Sequence, residues 1–129
     1  MLLKKFVSPR KKGIYGEDMA AAYLKRKWYK ISERNYRNKF GEIDIIARIR
    51  DTVVFVEVKS RSSDDFGAPS EAVDKRRQGR MCRAAQFYML GKSQELQVRF
   101  DVIEVCLQNG KINHYENAFC FMEDSHDYR

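Results

Sequence analysis

The stretch GEIDIIARIRDTVVFVEVKSR, residues 41–61, decides how this chain is read. It holds two apolar runs rich in isoleucine and valine, side chains that suit a pleated, half-buried surface. Arg50 and Asp51 separate the runs, so the pattern predicts a hairpin with strands over about 41–49 and 52–60. Glu42, Asp44, Glu57 and Lys59 interrupt it where a core would take apolar residues only. Strand alternation sets Val54, Val56 and Val58 on one face and Val53, Phe55, Glu57 and Lys59 on the other. With the turn centred between Arg50 and Asp51, paired residue numbers sum to 101 and Asp44 falls opposite Glu57. Directly opposed side chains have Cβ atoms about 4.5–5.5 Å apart.

Two carboxylates facing each other on a sheet repel unless something stands between them. A hard divalent cation resolves this, because Mg²⁺ takes one or two carboxylates and leaves its other positions to water and phosphate. Lys59, two residues after Glu57, is then placed to hold a water or stabilise charge developing on a phosphate. A solvent-facing set of cross-strand ion pairs is the other reading of Glu57 and Lys59. Glu17 bears on the choice. It precedes Ala20, Ala21 and Leu24 at helical spacing and so belongs to a buried stripe, where a carboxylate needs a partner or a metal. An acid interacting with the helix dipole is the alternative there.

The remaining elements follow from periodicity and breakers. Ile14 to about Lys30 reads as a helix whose stripe is Ala20, Ala21, Leu24 and Trp28. KISERNYRN, residues 30–38, reads as a strand at or near a sheet edge. RSSDDFGAP is a loop in which Phe66 could stack or pack. Ser70 opens a second helix, with Glu71 and Asp74 just inside and Gly91 stopping it near Leu90. Met81, Ala84, Ala85 and Tyr88 form its inward face. Strands over about 96–107 and 111–119 flank the hairpin signal Asn109-Gly110. The order is α-β-β-β-α-β-β. A helix between the third and fourth strands implies a crossover and a parallel pair in a mixed sheet flanked by helices.

With 129 residues the chain is sized for a single domain, with residues 1–12 a flexible basic arm and 121–129 a frayed tail. No apolar run nears the roughly 20 residues that span a bilayer, and the amino terminus has no signal-peptide core. A cytoplasmic protein with no membrane partner is expected. Cys82, Cys106 and Cys120 show no metal-binding spacing and read as reduced thiols, and His114 and His126 are too few and too far apart for a zinc site. Net charge is +7, but residues 1–40 alone carry +9, and KRRQGRMCR at 75–83 adds five cations without an acid. Separated basic patches around a carboxylate-bearing segment point to a polyanion, most simply nucleic acid.

GEIDIIA, followed by VFVEVKSRSSDDFGAPSEAVDKRRQGRMCRAAQFYM, closely resembles the YraN-like family of predicted endonucleases. That family is related to archaeal Holliday junction resolvases in the restriction-endonuclease-like, PD-(D/E)XK superfamily. The resemblance covers about residues 13–120 and gains specificity from GEDMAAAYL upstream and FGAPSEAV downstream. It implies an α/β fold with a restriction-endonuclease-like αβββαβ core. It further implies that Glu17, Asp44 and Glu57 bind catalytic Mg²⁺ or Mn²⁺ and that Lys59 assists the hydrolytic water. The proline that names the motif is absent, since Ile43 precedes Asp44.

Lys75, Arg76, Arg77, Arg80 and Arg83, with Arg61, fit phosphate contacts that position a duplex without reading its sequence. Gln78 and Glu42 are further candidates for the site. The expected activity is metal-dependent hydrolysis of DNA, preferred over RNA, with branched or nicked substrates, and a homodimer is among the assemblies allowed. A non-catalytic nucleic-acid-binding protein on the same fold is the main alternative. An RNA- or ribosome-associated accessory protein would explain the basic amino terminus but not the buried carboxylates.

Overall fold

The computed structural model describes residues 9–62 and 74–119, with side chains from residue 13. Phe66, Ser70, Glu71, Cys120, His126 and the tail lie outside the described residues. The order is α1 (Pro9–Arg26), β1 (Lys30–Asn38), β2 (Gly41–Ile49), β3 (Thr52–Arg61), α2 (Lys75–Met89), β4 (Gln97–Cys106) and β5 (Ile112–Phe119). The five strands form one mixed sheet in the order β1-β2-β3-β4-β5. This is an α/β fold, consistent with a restriction-endonuclease-like core.

The hairpin register is the expected one. Ile45 pairs with Val56, Ile46 with Phe55 and Ile49 with Thr52 around the two-residue turn Arg50-Asp51. Arg50 takes a φ of 52°, which lets so short a turn close. β3 and β4 pair in parallel over their full length, from Thr52–Gln97 to Arg61–Cys106, as the crossover requires. The two helices pack on opposite faces. Ala20, Ala21, Leu24 and Tyr29 pack with Ile45, Val54, Val56 and Ile103, whereas Met81, Ala84 and Ala85 pack with Ile46, Val53, Phe55 and Phe100. Phe55, Phe100 and Phe119 stack across three strands at centroid spacings of 5.4 and 5.0 Å.

Both helices differ from the expectation at their ends. α1 begins at Pro9, inside the segment read as a flexible arm, because proline suits the first helical position, where its missing N–H costs nothing. It also ends at Arg26, short of Lys30. The Trp28 N–H donates to the Lys25 carbonyl, and the Tyr29 N–H to that of Leu24, both at 3.0 Å. These two bonds make a Schellman cap. Trp28 is thereby thrown out of the buried stripe to 88% exposure, and Tyr29 takes the inward place. Asp74, expected just inside α2, is instead its N-cap, its carboxylate accepting from the Arg77 N–H at 2.8 Å.

Gly16 sets how closely α1 approaches the sheet, since a Cβ there would run into the Ser60 side chain on β3. Gly16→Ala should therefore lower stability by about 1–2 kcal/mol despite alanine's better helix propensity. Urea unfolding measures this, and a more stable variant would show that the contact is looser than described.

Candidate functional site

β2 stays paired with β1 as far as Gly41, but its pairing with β3 stops at Ile45–Val56. The strands part at the next position, which brings Asp44 and Glu57 to the fork. Asp44 replaces the lost ladder contact with its side chain, accepting the Val58 N–H at 2.8 Å on Oδ2. Ile43 and Ile45, only two residues apart, enter opposite core clusters, so the alternation of β2 breaks at Asp44. In β1 the residue between the partners of those two isoleucines, Asn35, has a φ of 54°.

Glu57 is 4% exposed and is held by Arg77 of α2. The guanidinium donates from Nε to Oε2 at 2.9 Å and from Nη2 to Oε1 at 2.8 Å, a bidentate pair. Burial, with the Glu57 charge adding to it, pushes the Asp44 carboxyl up to about 7, against the opposing donation from Val58. The Glu17 charge acts on Asp44 in the same direction. Glu17 is itself buried, and burial raises its pKa while Arg34, 3.4 Å away, works to lower it. An open cavity of about 390 Å³ lies over the fork, lined by Asp44, Glu57, Lys59, Ser60, Ser62 and Arg77 among others. Lys59 faces this space with no ion-pair partner among the described residues.

The structure thus unites Asp44, Glu57 and Lys59, and sets Glu17 beside them but turned towards Arg34. Among the described residues, no three His, Cys, Asp or Glu side chains converge at metal-ligand spacing, so the expected triad is not assembled. Arg77, expected on phosphate, gives its Nε and Nη2 to Glu57. Arg61 pairs with Glu104 at 3.0 Å, and that carboxylate is fully buried. Glu42 is exposed and pairs with Arg37 at 3.3 Å. Lys75, Arg76 and Arg80 are exposed along α2, Arg83 is half-buried, and Gln78 is half-buried without lining the cavity.

The sequence reading missed two acids of β4, Asp101 and Glu104, whose signal was the one used for Glu57: a carboxylate inside an apolar strand. Asp101 is fully buried in a network of its own. It receives Arg99 at 2.9 and 2.8 Å and the Asn117 N–H at 2.9 Å, and lies 2.7 Å from His114 Nε2. Burial alone would raise the Asp101 pKa, but these bonds outweigh it and lower the carboxyl below its ordinary value. Cys82 and Cys106 are buried and form no disulfide among the described residues. No helix among the described residues is long and apolar enough to cross a membrane.

A family model described as uncharacterised protein family UPF0102 matches residues 16–105, from α1 through β4. The chain belongs to UPF0102. This is the YraN-like family that its motifs resemble. A UPF0102 protein of Alkaliphilus oremlandii is 52% identical over 115 residues, covering 85% of this chain and 98% of the relative. Another from Clostridioides difficile is 47% identical over 111 residues, covering 85% and 97%. A third, from Syntrophomonas wolfei, is 43% identical over 113 residues, covering 85% and 98%.

The raised Asp44 pKa has a consequence for stability. The folded protein holds this proton more tightly than the unfolded chain, whose aspartates titrate near ~3.9. The stability linked to it is complete below that value and lost as pH rises through about 7. In chelator-treated protein, Asp44→Asn should flatten the fall in melting temperature between about pH 5 and 8, while its amide oxygen can still accept the Val58 N–H. An unchanged slope would mean that Asp44 is ionised throughout.

Proposed function

We propose that this UPF0102 protein is a metal-dependent endonuclease that hydrolyses phosphodiester bonds in branched or nicked DNA, akin to the archaeal Holliday junction resolvases. The observation that carries this reading is the fork itself. Two carboxylates stand together at the floor of an open cavity, beside an ammonium that has no ion-pair partner among the described residues. A fold has no structural need for such a pair, whose mutual repulsion opposes folding.

Asp44 and Glu57 would hold Mg²⁺ or Mn²⁺. Their fit rests on hard oxygen donors, on the burial and Glu57 charge that together push Asp44 up to about 7, and on cavity space for water and phosphate. Glu17 is a third carboxylate, whose charge acts on Asp44. When bound, the cation would polarise a phosphate oxygen and make a nearby water more acidic. Lys59 holds a water or a non-bridging phosphate oxygen, and its charge offsets the negative charge gathering there. Arg77 keeps the Glu57 carboxylate in one orientation. Lys75, Arg76 and Arg80 lie on the exposed side of α2, where they meet backbone phosphates without reading bases.

One observation favours a second reading, a non-catalytic nucleic-acid-binding protein. Arg77 already supplies a positive charge to both oxygens of Glu57, which is what a metal would otherwise do. Calorimetry with Mn²⁺ separates the two. The nuclease reading expects a binding site that Asp44→Asn and Glu57→Gln each weaken strongly, and metal binding unaffected by both would favour the second.

Lys59→Ala should retain metal and DNA binding while cleavage of nicked, flapped or four-way DNA falls roughly 10²–10³-fold, as when other hydrolases lose one electrostatic stabiliser. Parent protein that cuts no DNA form over a broad metal and pH screen would hand the function to the binding reading. Charge reversal at Arg76 and Arg80 should weaken DNA affinity for all sequences and flatten its salt dependence by about one unit of slope per lost phosphate contact. Fluorescence anisotropy at several salt concentrations measures both effects.

A further inference from the structure

We propose that Trp28 is a stacking platform for an unpaired nucleobase, with Lys25, Arg26, Lys27 and Lys30 holding the phosphates on either side. This rests on the nucleic-acid part of the proposed function and adds a contact that the cavity residues do not provide. Three observations converge on it. The chain's only tryptophan is 88% exposed, whereas a large aromatic ring normally buries most of its area. Its φ of 72° lies in the left-handed region, at the position of the Schellman cap that glycine ordinarily fills. A bulky side chain held in that conformation and turned to solvent does nothing for the fold, since Leu24 and Tyr29 make the buried contact of the cap. Finally, the four cations around it are all exposed, and no acid occurs between Met19 and Ser32.

The chemistry that fits is a flat π surface for a base inside a ring of positive charge. Every base offers a π face, so the contact is tolerant of sequence and selective for unpaired nucleotides. Arg26, the last residue of α1, follows Glu17 by nine residues, about 14 Å at helical rise, and Trp28 lies just beyond it, some four nucleotide steps of a stacked strand from Glu17. A DNA with a flap, a gap or an open branch point could thus lie at the fork and present an unpaired base to Trp28. An anionic membrane is the other surface that attracts tryptophan beside lysine. It is disfavoured because the apolar stripe of α1, Ala20, Ala21 and Leu24, is buried against the sheet, and the exposed residues flanking Trp28 are cations rather than apolar side chains that could insert.

Trp28 is its own reporter. A short oligothymidylate should quench the fluorescence of the full-length protein saturably, in the parent and in Glu57→Gln alike. Trp28→Gly should bind labelled flap DNA roughly 5- to 150-fold more weakly, the range seen when a stacking aromatic is removed, and Trp28→Phe should recover most of the loss. The melting temperature of Trp28→Gly should stay equal or rise by a few degrees, because glycine relieves the left-handed backbone. Lost binding with retained or raised stability is a result that a purely structural tryptophan cannot produce. Quenching by phosphatidylserine vesicles but not by the oligonucleotide would overturn the proposal, as would unchanged flap affinity in Trp28→Gly. If the protein cuts DNA while Trp28 stays silent, this inference falls and the nuclease stands. If Trp28 is quenched and no DNA is cut, the inference stands with the non-catalytic reading.

Discussion

The parting of β2 from β3 at Asp44 and Glu57 governs the arrangement of everything around it. A continued ladder would have pressed two carboxylates face to face inside the sheet, with neither water nor a cation to separate them. Instead the pairing ends at Ile45–Val56, and the Asp44 side chain takes the Val58 N–H that the ladder abandons. Arg77 then reaches down from α2 to occupy both oxygens of Glu57. The opening between the strands, the cavity above it and the docking of α2 are three expressions of one electrostatic constraint.

The same constraint bears on the charged groups that α1 and α2 carry on their inner faces. α1 approaches β3 closely because Gly16 leaves room for Ser60, and this sets Glu17 where its charge is felt by Asp44. Glu17 is balanced by Arg34 of β1, which also binds Asp18 at 2.7 Å. Positive and negative groups at the fork thus come from four elements, α1, β2, β3 and α2. Any shift of one element changes the balance felt by the others, because fields in a partly buried site are poorly screened.

A second polar centre on β4 is built differently. Asp101 has the guanidinium of Arg99, a backbone N–H of β5 and the His114 ring as partners, and Tyr29, between α1 and β1, completes the set through Arg99 at 2.6 Å. Its donors hold it ionised, where burial and a like charge raise Asp44. Two largely desolvated carboxylates therefore end with opposite shifts. The satisfied one ties β5 and its bulge at Asn117 to the sheet, while the frustrated one faces the cavity.

Much of this was legible in the sequence because it is local. Alternation in residues 41–61 determines two strands, Arg50-Asp51 determines their turn, and the turn determines that Asp44 and Glu57 meet. The helical stripe of Ala20, Ala21 and Leu24, and the Asn109-Gly110 hairpin, were equally readable. What only the tertiary structure decided are contacts between distant segments: Arg77 on Glu57, Arg34 on Glu17, Arg61 on Glu104. Charge pattern places an arginine on a helix, but whether it faces a phosphate or a buried carboxylate depends on how the helix lies across the sheet. Trp28 shows the limit most plainly. Its spacing fits the buried stripe, yet two backbone hydrogen bonds end α1 at Arg26 and a left-handed turn carries the ring into solvent. Periodicity reports a side chain's place only while the helix continues.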